Sequence, residues 1–141
     1  MNQVNPHPPV PRWFTIAAIA ALLFELGGCA MYLLQLLNDP TLADEIALYR
    51  ATPLWVTAAF AVAVWVGLAG AVLLLLRRRQ AAPLLLVSLA ALLIQISAYF
   101  VVPALRNLTQ SDDLFLPFVI VVISYSIWHF AWKARRSGWL R

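Results

Sequence analysis

Charge is scarce in this chain, and sulfur scarcer. Charged residues make up 11% of its 141 residues, and the single cysteine is Cys29. One cysteine excludes an internal disulfide. No zinc-type spacing of His and Cys, nucleophile triad, glycine-rich phosphate loop or haem-ligating histidine pair occurs. The chain is therefore not expected to be an enzyme or to hold a metal or cofactor. Apolar side chains take the place of the missing polar ones: 63% of residues are hydrophobic, and the mean hydropathy is +0.82. A soluble domain of this size would need far more polar surface.

The apolar residues gather in four runs, about 13–37, 54–76, 83–105 and 114–132. Each is close to the ~20 residues with which a helix crosses ~30 Å of hydrocarbon. The expected fold class is thus all-α and integral to a membrane. Short connections between the runs imply an up-down four-helix transmembrane bundle over residues 12–133. Residues 1–11, rich in Pro and Asn, read as a disordered tail, with His7 a solvated side chain in it. Residues 134–141 read as a basic tail.

The few charges are sorted by side. Arg12, Arg77, Arg78, Arg79, Lys133, Arg135, Arg136 and Arg141 fall at one end of the four runs, and only Arg50 and Arg106 at the other. Eight against two predicts that both termini are cytoplasmic. The net charge of +4 is read as a topology signal with some anionic-lipid contact, and nucleic acid is not an expected partner. Asp39, Asp44, Glu45, Asp112 and Asp113 lie in the two outer loops. Trp13, Trp128 and Trp132 suit an inner aromatic belt; Trp55, Tyr99 and Phe115 suit an outer one.

The first outer loop, 38–53, has room for structure of its own. Asp39 and Pro40 suit an N-cap and first turn. Leu42, Ile46 and Tyr49 then recur at i, i+4, i+7, the pattern of a short amphipathic helix lying on the membrane. Thr52 and Pro53 are expected to cap and open the second span.

Two features inside the spans carry the functional reading. Ala59, Ala63, Gly67 and Ala71 recur every fourth residue, with Gly70 beside them, and such small residues let a neighbouring helix come close, within the bundle or in a dimer. Glu25 is the only acid within a span. It lies 12 residues past Trp13, ~18 Å into the membrane, where an ionised carboxylate is costly. It should face the bundle interior. Gln95, central in the third run, shares a face with Ser88, Tyr99 and Arg106. Glu25 and Gln95 could meet at mid-depth, with Tyr32 and Tyr99 nearer the outer mouth. These four residues are the candidate substrate or proton site; equally, a protonated Glu25 bonded to Gln95 could simply fix helix pairing.

Other local signals read as structural. His129, between Trp128 and Trp132, suits an interfacial anchor. The sequon at Asn107 abuts the third run and reads as a chance match. Leu26-Gly27-Gly28-Cys29 resembles the cleavage box of a bacterial lipoprotein, which would lipidate Cys29 and leave three spans. The charge at Glu25 and the continuation of the apolar run to Leu37 count against it.

Residues 49–64 (YRATPLWVTAAFAVAV), followed by Gly67, Gly70 and residues 73–78, resemble an uncharacterised family of small bacterial four-span membrane proteins. Ser88, Leu89, Gln95 and the ending Gly138-Trp139-Leu140 fit the same pattern. The resemblance covers most of the chain beyond Trp13 and implies a multi-pass bundle in a bacterial inner membrane. Some members carry the label of sugar transporter, for which these spans offer few polar groups. The family pattern tends to have Asn at the position of Glu25, with Tyr32 and Gln35 matching, so it implies a polar residue there rather than an acid. Small multidrug-resistance transporters are similar in architecture only. The expected role is non-enzymatic and transport-related, with the bilayer and either further copies or a membrane protein as partners. The alternative is an accessory protein that binds a partner through its small-residue face.

Overall fold

The computed structural model describes residues 9–37, 43–109 and 114–141, the side chains of residues 43 and 44 excepted. Among the described residues six helices follow in order: α1 Arg12–Leu37, α2 Ala43–Ala51, α3 Leu54–Leu75, α4 Ala81–Val101, α5 Pro103–Leu108 and α6 Phe115–Arg136. Among the described residues α1, α3, α4 and α6 are long and apolar enough to cross a membrane. At 1.5 Å per residue each exceeds ~30 Å.

Prolines decide where several helices stop and start. The third apolar run was expected to be continuous to residue 105, but α4 ends at Val101. Val102 is extended (φ −90°, ψ 109°), and Pro103 opens α5 at its first position. The proline ring crowds the backbone of the residue before it out of helical geometry, while its fixed φ suits a helix start. Pro83 and Pro117 sit in the first turns of α4 and α6, where a missing N–H breaks no helical bond. Pro53, rather than Thr52, occupies the N-cap position of α3. The Thr52 hydroxyl instead donates to the Leu48 carbonyl at 2.7 Å and closes the last turn of α2.

The expected surface helix lies partly outside the described residues, since Asp39, Pro40 and Leu42 fall there. Of its apolar stripe, Ile46 is half-buried on α2 and Tyr49 is 67% exposed. Helix α2 packs against α5.

The last residues are not a loose tail. Helix α6 runs on to Arg136, with Lys133, Arg135 and Arg136 in its last turn, where cations offset the carbonyl dipoles. The chain then reverses at Gly138 (φ 73°), with Gly138 N–H donating to Arg135 O and Trp139 N–H to Ala134 O. These are the two bonds of a Schellman cap. The end of α3 repeats the device with arginine in the left-handed position: Arg77 has φ 57°, its N–H donates to Leu74 O, and that of Arg78 donates to Leu73 O.

Packing runs α1 on α3, α3 on α4 and α4 on α6. The largest core lies at the basic end. There Phe14 and Leu140, each 1% exposed, join Leu74, Ala81, Ala82 and Ala134, so the starts of α1 and α4 meet the ends of α3 and α6. Trp13 and Phe14 contact Phe130 and Trp139 at ring distances of 5.3 to 6.1 Å. Smaller cores lie around Ala63, Ala91 and Leu92, and around Val56, Ala98 and Leu105. Helix α6 buries only Ala131 and Ala134, and large side chains such as Phe115, Leu116 and Phe118 point outward. Such bare apolar faces suit hydrocarbon rather than water.

Candidate functional site

The small residues of α3 bring two other helices onto it. Ala63, Gly67, Gly70 and Ala71 are buried, and Ala59 is half-buried. At Gly70 an added methyl would lie 2.8 Å from Leu85 Cγ and 3.2 Å from the Leu85 main-chain nitrogen, so α4 is close to its backbone. From the α1 side, a methyl on Gly28 would lie 3.3 Å from Val64 Cγ1. The stripe expected to mark a contact face is therefore used within the chain.

The face that α1 presents is Phe14, Ala18, Ala21, Glu25 and Cys29, spaced three or four apart and all buried. Glu25 is 6% exposed. Its carboxyl fills the notch left by the missing side chain of Gly67: a methyl there would overlap the Glu25 carboxyl oxygen and stand 2.7 Å from Ser88 Oγ. Glu25, Gly67 and Ser88 thus bring α1, α3 and α4 to one point. Two neighbours donate to carbonyls of α3 beside it. Ser88 Oγ donates to Ala63 O at 2.6 Å, and Cys29 Sγ to Val64 O at 3.4 Å.

Gln95 is placed differently from expectation. Its Oε1 is enclosed and accepts no hydrogen bond, so that oxygen takes none from Glu25. Ser88, not Gln95, adjoins the acid; Gln95 lies seven residues, ~10 Å, farther along α4. The displacement follows from the helix boundaries. With α4 spanning Ala81–Val101 rather than ending at 105, its centre falls near Ala91, and Gln95 moves outward. Tyr99, half-buried, lies one turn beyond Gln95. Tyr32 packs edge-on against Phe60, ring centroids 5.5 Å apart. Gln95 and Tyr99 thus lie farther along α4 than the level at which Ser88 meets Glu25. Gly67 and Ser88 are the neighbours that sequence reasoning did not assign to Glu25. Four-residue spacing of small side chains announces a close approach, without telling which side chain enters the gap.

A second concavity, about 340 Å³, separates α1 from α6. Ala17, Ala20 and Phe24 line one wall, and Val122, Ile123 and Ser126 the other. It is apolar and suits a hydrocarbon chain better than a polar solute. His129 stacks on Tyr125 at 6.0 Å and tilts toward Trp132 at 5.8 Å. Among the described residues no three of His, Cys, Asp and Glu come together as metal ligands would. No family model, curated protein or solved structure matches this chain.

Proposed function

We propose that this chain is a non-enzymatic, transport-related protein of a bacterial inner membrane. It is an up-down bundle with its basic end and both termini in the cytoplasm, α2 resting on the outer surface. Glu25 is the group that exchanges a proton. The observation that carries this reading is the carboxyl in the Gly67 notch beside Ser88, at the junction of three helices. An acid in the hydrocarbon region is costly to ionise unless paired, and such groups mark ion and proton pathways. In the neutral form the carboxyl packs in the notch. Loss of the proton puts a charge between α1 and α3, and the two helices must part or admit water to solvate it. Ser88, Gln95 and Tyr99 on α4 supply polar groups outward from that point. Four helices enclose little volume, so a substrate path needs a second copy.

Proton-coupled flux in proteoliposomes tests this, with simple sugars and lipophilic cations offered to wild type and Glu25→Gln. A pH change or current present in wild type and lost in the variant supports the carrier. Flux that persists undiminished in Glu25→Gln removes Glu25 from the mechanism.

A second reading is an accessory membrane protein in which Glu25, Gly67 and Ser88 only join helices. It is favoured by the bare faces of α1 and α6. A partner would meet those faces, since α1 and α4 already cover the small residues of α3.

A further inference from the structure

The basic end of the molecule gathers like charges on one short stretch of chain. Arg141 N–H donates to Arg77 O at 2.6 Å, and Arg79 N–H donates to the Arg141 main-chain oxygen at 2.9 Å. The tail is thereby hydrogen-bonded alongside the loop between α3 and α4, in the pattern of a parallel pair about Arg78 and Arg141. Arg79 Nε also donates to Leu140 O at 3.4 Å, and Leu140 is sunk in the core beneath. The Gly138 reversal that aims the tail here is itself hydrogen-bonded. The side chains of Arg78, Arg79 and Arg141 are exposed and leave from this clip. Arg136, nearby in sequence, lies over the Trp132 ring at 4.7 Å, and Arg77 over Phe14 at 5.9 Å.

Several guanidinium groups leaving neighbouring stretches of chain favour an anion nearby. Residues 46–111 and 114–141 contain no Asp or Glu side chain, and the Arg141 main-chain oxygen already accepts from Arg79 N–H. Trp13 and Trp132 mark the level of the membrane interface at this end, so the clip sits where lipid phosphates are. Free solutes reach this level too, but lipid phosphates are present there at fixed high density.

We propose that the paired loop and tail form a binding site for the phosphate headgroup of anionic phospholipid in the leaflet on that side. Arg78, Arg79 and Arg141 are its charged contacts. The site is independent of Glu25 and of any transport.

The test uses the full chain in nonionic micelles, offered dioleoyl phosphatidylglycerol or dioleoyl phosphatidylcholine, with retained lipid counted by native mass spectrometry. Each basic residue near an anionic surface strengthens association about fivefold, so R78Q/R79Q/R141Q should lower the preference for phosphatidylglycerol at least about tenfold. R50Q/R106Q, at the other end, should keep it, and so should the charge-preserving R78K/R79K/R141K. Raised salt should weaken it. Equal retention of the two lipids by wild type overturns the proposal. So does a loss in R50Q/R106Q as large as in the triple glutamine variant, a folded lysine variant that binds no better than the glutamine one, or full displacement of the lipid by equimolar inorganic phosphate.

Discussion

At the scale of single residues, the molecule turns on what fills the space over two glycines. A methyl at Gly67 would collide with both the Glu25 carboxyl and the Ser88 hydroxyl. Overpacking of that kind costs about 1–3 kcal/mol, so Gly67→Ala should lower unfolding stability in micelles by that amount. Gly27 has nothing within 4 Å of the same added atom. Gly27→Ala should be neutral or stabilising by up to about 1 kcal/mol, through helix propensity alone. If Glu25 is what Gly67→Ala strikes, shortening it should relieve the clash. In a double-mutant cycle Glu25→Ala and Gly67→Ala should then couple by about 1 kcal/mol or more, whereas additive effects would mean that the carboxyl does not sit in the notch. Ser88→Ala removes the donor to Ala63 O and should cost only about 0.6 kcal/mol, the usual worth of such bonds in membranes.

At the scale of elements, two helix ends at the basic side use the same cap with different residues. Gly138 carries its φ of 73° without side-chain strain, whereas Arg77 holds φ 57° with a side chain. Gly138→Ala should therefore cost about 1 kcal/mol, read as a drop in thermal midpoint. Arg77→Gly should cost less than that or stabilise, because relief of the left-handed strain offsets a weak contact with Phe14. The break at Val102 belongs to the same scale. Apolar character runs through it without interruption, so hydropathy alone extends the third span to 105. The local sterics of Pro103 end it at Val101, and at the end away from the arginine loop α5 packs against α2.

At the scale of the whole molecule, the charge asymmetry makes a prediction about sidedness. Cys29 is the only cysteine, and it is buried, so it should be silent to membrane-impermeant maleimides and leave a clean background. Leu108→Cys, on exposed α5, should label in intact spheroplasts. Gln80→Cys, in the exposed α3–α4 loop, should label only after permeabilisation. The reverse pattern would invert the proposed orientation. The thin burial of α6 also belongs here, because a helix that packs mainly against α4 leaves the rest of its surface to lipid or to another chain.

The class of the protein was legible without any tertiary information. The number of candidate spans follows from run length, because hydrocarbon admits no unpaired backbone groups and sets how many apolar residues must be continuous. The isolation of Glu25 was legible for the same reason, since a lone acid stands out against apolar sequence. Its partner was not. Matching depths between helices requires their true ends, and those depend on Pro103 and on a cap at Arg77 whose residue type does not announce it. Gln95, which looked central, came out two turns away. Ser88 and the Gly67 notch took the carboxyl, because close packing on α3 decides which atoms share a level. The fold-back of residues 137–141 was likewise invisible to charge counting. Basic composition reads only as a basic tail, and the packed structure decides that Leu140 enters the core.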